Sequence, residues 1–464
     1  MGLATSTSVG RGLQGAIRGQ VLMPDQPGFR TAAHLFNPRF DDVLPTALAI
    51  PVDARDLRDA IRFTVPRGIH VRARSGGHSY AGYSTLSDGV VLDLRKLNSI
   101  SIDKRNATAT IGAGSQLIDI SSALADKGAT LPAGSCPSVG VAGVTLGGGF
   151  GLASRHLGLT LDSLLGVQIA TADGELRTVD DRTDPDLLWA LKGGGGGNFG
   201  VVTEFVFRVH PLPKAASYFE LEWPWSAADE AIAAWQDWAP HAADAVTSIL
   251  HLNSGSHPSI AANGQFIGAS AAVDQVLRPL LDVSGASLRS NIQLPYFRLQ
   301  LLLAGCADIG AAACHTIGTS GHGTLPRETF QAKSDYVASA LPHEGRAAMI
   351  AAAEAQGSGA LLCDAYGGAI GRVAKDTTAF VHREELFCIQ YYGAGSSAAW
   401  VNQAAAKMRP YVSGMAYQNY IDPAREDWQH AYYGQHLQRL EATRARLDPH
   451  HYFDFPQAIG HQTK

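Results

Sequence analysis

Glycine is clustered in this chain rather than spread, and the clusters limit what it can fold into. Fifty of the 464 residues are glycine, above the usual ~7% share, and they gather in three loops, residues 74–82, 143–151 and 193–200. Loops without side chains let backbone N–H groups approach a ligand closely. Between residue 48 and about residue 209, β-branched runs alternate with turns and helical periodicity. The spacing predicts helices over 57–65 and 117–127 and strands over 70–74 and 90–93. This is an α+β pattern.

The character changes at His210-Pro211-Leu212-Pro213, which reads as a linker into a second domain richer in Trp and Ala. Ser226 and Asp229 read as a capping box ahead of the amphipathic run Ile232, Trp235, Trp238. Strands are expected over 247–252, 265–268, 360–366 and 386–392, with helices over 345–355 and 398–408. Helices on one side of an antiparallel sheet follow from that order. No internal repeat is strong enough to indicate duplication. In the tail, Leu437, Leu440 and Leu447 keep helical spacing over 434–447, and Asp448-Pro449 ends the run.

With 45% apolar and 17% charged residues, the chain can bury more than one core. A net charge of -5 and a pI near 6.4 leave no basic surplus for gripping phosphates, which argues against nucleic acid and for a small substrate. No run of about 18 apolar residues offers a membrane span. Residues 1–20 are rich in Gly, Ser and Thr and lack the apolar stretch of a secretory signal, so a cytosolic protein and a secreted one with its signal removed both stay open. Five cysteines are too few for a disulfide scaffold, and the odd count leaves one unpaired. Cys306 and Cys314 are close enough in sequence to bridge; the bland reading of any one cysteine is a small buried hydrophobe, with Cys136 the exception. No metal site is expected.

Neither residues 147–150 nor residues 193–200 sit in a strand, G-x-G-x-x-G, helix arrangement with an acidic residue about 20 positions on, so a dinucleotide fingerprint is not supported. A phosphate loop ending in Lys-Ser/Thr is absent from the sequence. The run Arg72-Ala73-Arg74-Ser75-Gly76-Gly77-His78-Ser79-Tyr80 instead combines a strand end, a glycine turn and a nucleophilic imidazole. Arg74 is placed to neutralise a pyrophosphate. The run Gly134-Ser135-Cys136-Pro137-Ser138-Val139-Gly140-Val141-Ala142-Gly143 sets a thiol just before the longest cluster. Two glycine loops, each with a nucleophile, lie 58 positions apart.

His78 in Ser-Gly-Gly-His-Ser-Tyr and Cys136 in Gly-Ser-Cys-Pro-Ser-Val-Gly resemble the bicovalent branch of the FAD-linked oxidases, the berberine bridge enzyme-like family, and its bacterial and fungal oligosaccharide oxidases. The resemblance continues through Gly147-Gly148-Gly149-Phe150-Gly151, Asp162-Ser163-Leu164, Ala170-Thr171-Ala172-Asp173-Gly174, Asp184-Pro185-Asp186-Leu187-Leu188-Trp189-Ala190, Gly195-Gly196-Gly197-Asn198-Phe199-Gly200-Val201-Val202-Thr203 and Tyr417-Gln418-Asn419-Tyr420-Ile421-Asp422. It is thinnest from Pro213 to about Cys306.

The resemblance implies a PCMH-type, two-subdomain FAD-binding domain of the vanillyl-alcohol oxidase kind, over residues 1–212 and 410–464. A substrate domain, an antiparallel sheet with helices, is inserted over 213–409. It implies FAD joined through its 8α-methyl to His78 and through ring carbon 6 to Cys136, a double link that raises the flavin potential. The matching cofactor contacts are Arg74, Ser75, Gly76, Gly77 and Ser79, then Val139, Gly140, Val141 and Gly143, then Gly147, Gly148, Gly149 and Gly151, with Gly200, Val202 and Asn419. In the family, bulkier residues at the position of Val139 block oxygen, so Val139 implies an oxidase.

Hydride transfer from a C–H bond needs a base for the neighbouring hydroxyl proton. The Tyr417–Tyr420 segment matches the one that supplies a tyrosine, with Tyr420 favoured over Tyr417. Asp364 matches an aspartate that assists that tyrosine, and Gln390 matches a substrate-contacting glutamine. Alternation puts Leu362, Asp364 and Tyr366 on one strand face. Tyr80, Tyr391, Tyr392, Trp225 and Trp400 are of a type that stacks on sugar or aromatic rings, although such residues are more often core; Tyr80 and Tyr366 are counted with Gln390 as substrate contacts. A bare carboxylate beside a tyrosine raises the phenol pKa, so Asp364 has to act as a hydrogen-bond acceptor.

The leading expectation is an oxidase acting on a saccharide hydroxyl, with O2 reduced to H2O2, as a monomer or homodimer. A tailoring oxidase that closes a ring or oxidises a glycoside, phenolic or alkaloid uses the same flavin motifs with a different pocket. A flavin-bearing binding protein with little turnover is the third possibility, and intact Tyr420, Asp364 and Val139 argue against it.

Overall fold

The computed structural model describes residues 3–318, 323–395 and 397–461, with side chains from residue 8 onward. The ends of the expected domain limits, Met1 and Lys464, lie outside the described residues.

Three sheets organise the chain. In the first, Ala47–Ile50, Val90–Asp93 and Val71–Arg74 run parallel, and Gln20–Leu22 adds an antiparallel edge. The helix Ala54–Thr64 makes a crossover between parallel strands; Asp53 caps it, accepting a 2.9 Å hydrogen bond from the Asp56 N–H. The second sheet is antiparallel, in the order Ile100–Asp103, Thr108–Gly112, Val201–Arg208, Leu164–Ala170, Leu176–Asp180. One continuous core joins both, from Leu57 and Leu92 to Ile169 and Phe205, and reaches Tyr433 and Leu440 near the chain end.

The third sheet has seven antiparallel strands, in the order Ser287–Pro295, Ala215–Trp223, Ser259–Phe266, Val246–Asn253, Gly359–Ala365, Phe387–Ala394, Phe330–Val337. Side chains alternate across each strand. Leu250, Leu252, Leu361, Cys363, Phe387 and Ile389 therefore turn to one face, where they pack with Trp235, Met349 and Trp400 of three helices, Ala228–Trp238, His343–Ala353 and Ala398–Met408. Ile249, His251, Leu362, Asp364, Gln390 and Tyr392 turn to the other face and meet a cavity.

The expected elements are present, with three corrections. The helix at Ala228 has no side-chain cap; Asp229 is drawn instead into a bidentate pair with Arg346 of the neighbouring helix, at 2.9 and 3.1 Å. The strand expected over 265–268 ends at Phe266. The tail begins with a 3-10 turn, Gly434–His436, and the α-helix follows over Leu437–Leu447. Asp448 then accepts from the Tyr452 and Phe453 N–H groups at 2.7 and 2.8 Å. Cys306 and Cys314 are joined in a disulfide, while Cys136, Cys363 and Cys388 are free. Among the described residues no helix is long and apolar enough to cross a membrane.

Arg155 fastens the glycine loops to the large sheet. It is 1% exposed and donates to the backbone carbonyls of Pro240, Ala242, Val246 and Tyr366. Burial lowers its pKa to about 10, against the raising effect of the Asp244 charge. Arg383 makes a second tie, a bidentate pair with Asp162 at 2.8 and 2.9 Å.

Candidate active site

The three sheets meet at a cavity of about 550 Å³, within the range of small-molecule and cofactor sites. Residues 75–80 form one wall, with Ser75, Gly76, Gly77, His78, Ser79 and Tyr80 all on its surface. Cys136, Val139, Gly140, Gly143 and Gly151 also line the cavity, as do Gly200 and Val202. The two loops touch through their glycines: a Cβ on Gly76 would collide with the Gly140 backbone, and one on Gly140 with Gly76 and Ser75. A Cβ on Gly143 would meet nothing within 4 Å.

His78 stacks on Phe36 at 4.1 Å, and its Nε2 lies 2.9 Å from the Ser138 hydroxyl. Burial pushes its pKa down to about 3, so the imidazole is neutral. The Cys136 side chain is exposed at the surface of the same cavity.

The segment 417–420 crosses the end of the cavity. The Tyr417 hydroxyl accepts from the Gly149 N–H at 2.8 Å and from Asn419 Nδ2 at 3.0 Å, and Asn419 also donates to the Val144 carbonyl. Burial raises the Tyr417 pKa to about 12, against the lowering effect of those donors. The Tyr420 ring stacks on Tyr80 at 5.3 Å, and its hydroxyl donates to Asp364 Oδ2 at 3.2 Å. Gln390 Nε2 donates to the Tyr80 hydroxyl at 2.7 Å. Burial pushes the Asp364 carboxyl up to about 7, and the Tyr420 hydrogen bond partly offsets it. The Tyr420 phenol is raised well above its ordinary value, first by burial and then by the Asp364 charge.

Two family models match the chain, an FAD binding domain over residues 45–180 and a berberine and berberine-like domain over residues 416–460. It is 32% identical to the uncharacterized FAD-linked oxidoreductase YvdP of Bacillus subtilis, over 96% of this chain and 98% of that one. The chain belongs to the berberine bridge enzyme-like FAD-linked oxidoreductases. Among solved structures, BBE-like 1 of Physcomitrella patens superposes with a TM-score of 0.90 at 28% identity, covering 99% of both chains. The glucooligosaccharide oxidase of Acremonium strictum, which carries a 6-S-cysteinyl, 8α-N1-histidyl FAD, superposes with a TM-score of 0.88 at 26% identity, over 97% of this chain and 99% of that one.

The cavity of this FAD-linked oxidoreductase suits its cofactor on grounds internal to the chain. Arg72 Nε, Ser84 Oγ and Gln418 Oε1 belong to residues on the cavity wall, are buried, and have no hydrogen-bond partner among the described residues. Such groups are costly unless a polar ligand meets them. Tyr83, Phe453 and Phe455 supply apolar surface beside Arg72.

Several residues expected at the cofactor stand elsewhere. Arg74 is off the cavity: strand pairing sets it beside Asp93, Arg74 Nε donates to Asp93 Oδ2 at 2.8 Å, and the pair is almost fully buried. The Arg74 charge is thus already neutralised, and Arg72 is the cation at the wall. Val141 is core. Gly147 and Gly148 are glycine because a Cβ would strike Gln418, Asn419 and Tyr417, and Gly149 because it would strike Thr160. The bareness of Gly147 and Gly148 admits the 417–419 segment, and that of Gly149 admits Thr160.

Tyr366 is also off the cavity. The strand ends at Ala365, and the Tyr366 ring lies behind Phe150, stacked at 5.4 Å, with its hydroxyl on that of Tyr336 at 2.9 Å. Tyr392 reaches the cavity, whereas Tyr391 and Trp400 are core and Trp225 bonds Glu354. Ile249, His251 and Arg72 were missed by sequence reasoning; the alternation of residues 247–252 was the available signal for the first two.

Proposed function

We propose that this protein is an oxidase with FAD attached at both His78 and Cys136, acting on a CH–OH group of a saccharide and returning electrons to O2 with release of H2O2. The observation that carries the reading is the Tyr420 hydroxyl on Asp364, beside Gln390 and Tyr80. FAD supplies the hydride acceptor. The chain's own part is to bind the alcohol and move its proton.

Tyr420 is the base. Its phenol is too weakly acidic to stand ionised at neutral pH, so it takes the substrate proton only while passing its own to Asp364. A carboxyl near 7 is matched to receive it. Tyr417 is unsuited, because its oxygen is engaged by two donors and helps to hold the 149–150 backbone. Gln390 and Tyr80 offer hydrogen bonds to further hydroxyls. Arg72 and the residue 76–79 and 140–143 backbones hold the cofactor. Val139 keeps the wall beside Cys136 small, which supports access by O2. The division that goes with this reading is cofactor binding by residues 1–212 and 410–464 and substrate binding by residues 213–409.

The matching histidyl and cysteinyl links of the glucooligosaccharide oxidase support double attachment, as does the presence of both His78 and Cys136 on the surface of one cavity. Replacing Cys136 with Ala leaves flavin linked through His78 alone, with a shifted visible spectrum. Complete release of flavin on denaturation would show that His78 forms no bond.

One observation favours a second reading. Ile249, Leu362, Leu152 and Phe150 make part of the wall apolar, as a tailoring oxidase for a phenolic, alkaloid or glycoside requires. Peroxide release by the purified protein, measured on reducing mono- and oligosaccharides with phenolic and alkaloid compounds alongside, decides between them. Strong release with sugars is expected; silence with sugars and turnover of an aromatic compound gives the second reading.

A further inference from the structure

Ser138 stands two residues after one expected attachment residue, Cys136, and its side chain meets the other, His78. Its hydroxyl is 2.9 Å from His78 Nε2, and Ser138 is 4% exposed. The loop that carries it is pinned: the Ile118 N–H donates to the Pro137 carbonyl at 3.1 Å and the Leu117 N–H to the Val139 carbonyl at 3.0 Å. Phe36 fixes the plane of the imidazole from one side. Its own N–H donates to the Gly77 carbonyl at 3.1 Å, so Phe36 is itself tied to the loop.

A neutral imidazole has one N–H and one bare nitrogen, and the partner of one decides which is which. The ring has one hydrogen-bond partner among the described residues, the Ser138 hydroxyl at Nε2. With that hydroxyl accepting, Nε2 carries the proton. His78 Nδ1, which has no partner among the described residues, keeps its lone pair.

We propose that Ser138 is a positioning residue for flavin attachment: it holds His78 as the Nε2–H tautomer, presents Nδ1 as the nucleophile, and receives the Nε2 proton as the bond forms. The inference rests on the double-attachment reading. In the balanced step a C–H bond of the 8α-methyl breaks and an N–C bond to Nδ1 forms. One proton leaves the methyl and one leaves Nε2, through the Ser138 hydroxyl. The two electrons and two protons released reduce O2 to H2O2. Cys136 has no contact with the Ser138 hydroxyl, so its link forms without it.

The test compares holoenzyme of wild type, Ser138→Ala and Ser138→Thr. Flavin at His78 and at Cys136 is counted separately by peptide mass spectrometry, and total flavin per chain is read from visible absorbance. In Ser138→Ala the His78 adduct is expected to fall about ten-fold, in line with the loss seen when a partner that orients a histidine is removed. The Cys136 adduct and total flavin hold, and Ser138→Thr restores the His78 adduct. A His78 adduct at wild-type level in Ser138→Ala overturns the proposal, as does loss of both adducts together or failure of Thr to restore. Wild-type protein with flavin but no His78 adduct overturns the attachment reading first and this inference with it, so the two failures are told apart in the wild type alone.

Discussion

Replacing Tyr420 with Phe is expected to slow flavin reduction by substrate about 10²- to 10⁴-fold, the share that a positioned general base supplies, or about 3–5 kcal/mol of barrier. The ring itself stays, and with it the stacking on Tyr80 at 5.3 Å and the edge contact with Tyr417 at 4.9 Å. Only the hydroxyl on Asp364 is lost. Flavin content and thermal stability should therefore stay near wild type, and anaerobic stopped-flow reduction isolates the effect from reoxidation. Reduction at the wild-type rate would remove Tyr420 from the chemistry.

The Asp364→Asn variant is expected to lose activity on a similar scale, about 10²-fold or more, because an amide accepts the Tyr420 hydrogen bond but not its proton. The pH profile gives the sharper readout. Burial sets the Asp364 carboxyl near 7, and the relay needs it ionised. The reduction rate should rise with pH to a midpoint near 7 and then level off, falling about ten-fold per pH unit well below the midpoint. In Asp364→Asn that step disappears. A variant that keeps the step assigns it to another group.

The fold, and the gathering of His78, Cys136, Asp364 and Gln390 at one cavity, were largely legible in the sequence because their signals are local. The strand over Val90–Asp93 and the helix over Ala398–Met408 lie where the apolar period put them, and Asp364 and Gln390 reach one cavity by strand alternation alone. The nucleophile loops needed only His78 and Cys136 in glycine surroundings. Resemblance added the expectation of separate cofactor and substrate parts, which periodicity suggested only as a change at Pro211.

What the sequence hid were pairings between distant positions. Arg74 was the cation expected at an anion, with Arg72 two residues before it; the parallel register that sets Arg74 beside Asp93 pairs its charge and leaves Arg72 at the wall. The motif favoured Tyr420 over Tyr417 without settling the order, and the approach of Gly149 and Asp364 from far along the chain distinguishes their hydroxyls. Gly147, Gly148 and Gly149 read as cofactor contacts because glycine marks a close approach without naming what approaches. The sequence by itself determined which residues have the chemistry for flavin attachment and proton transfer, since that depends on residue type and local period. The tertiary structure decided which of them are free to use it, because a charge or a hydroxyl already satisfied by a neighbour has nothing left for a ligand.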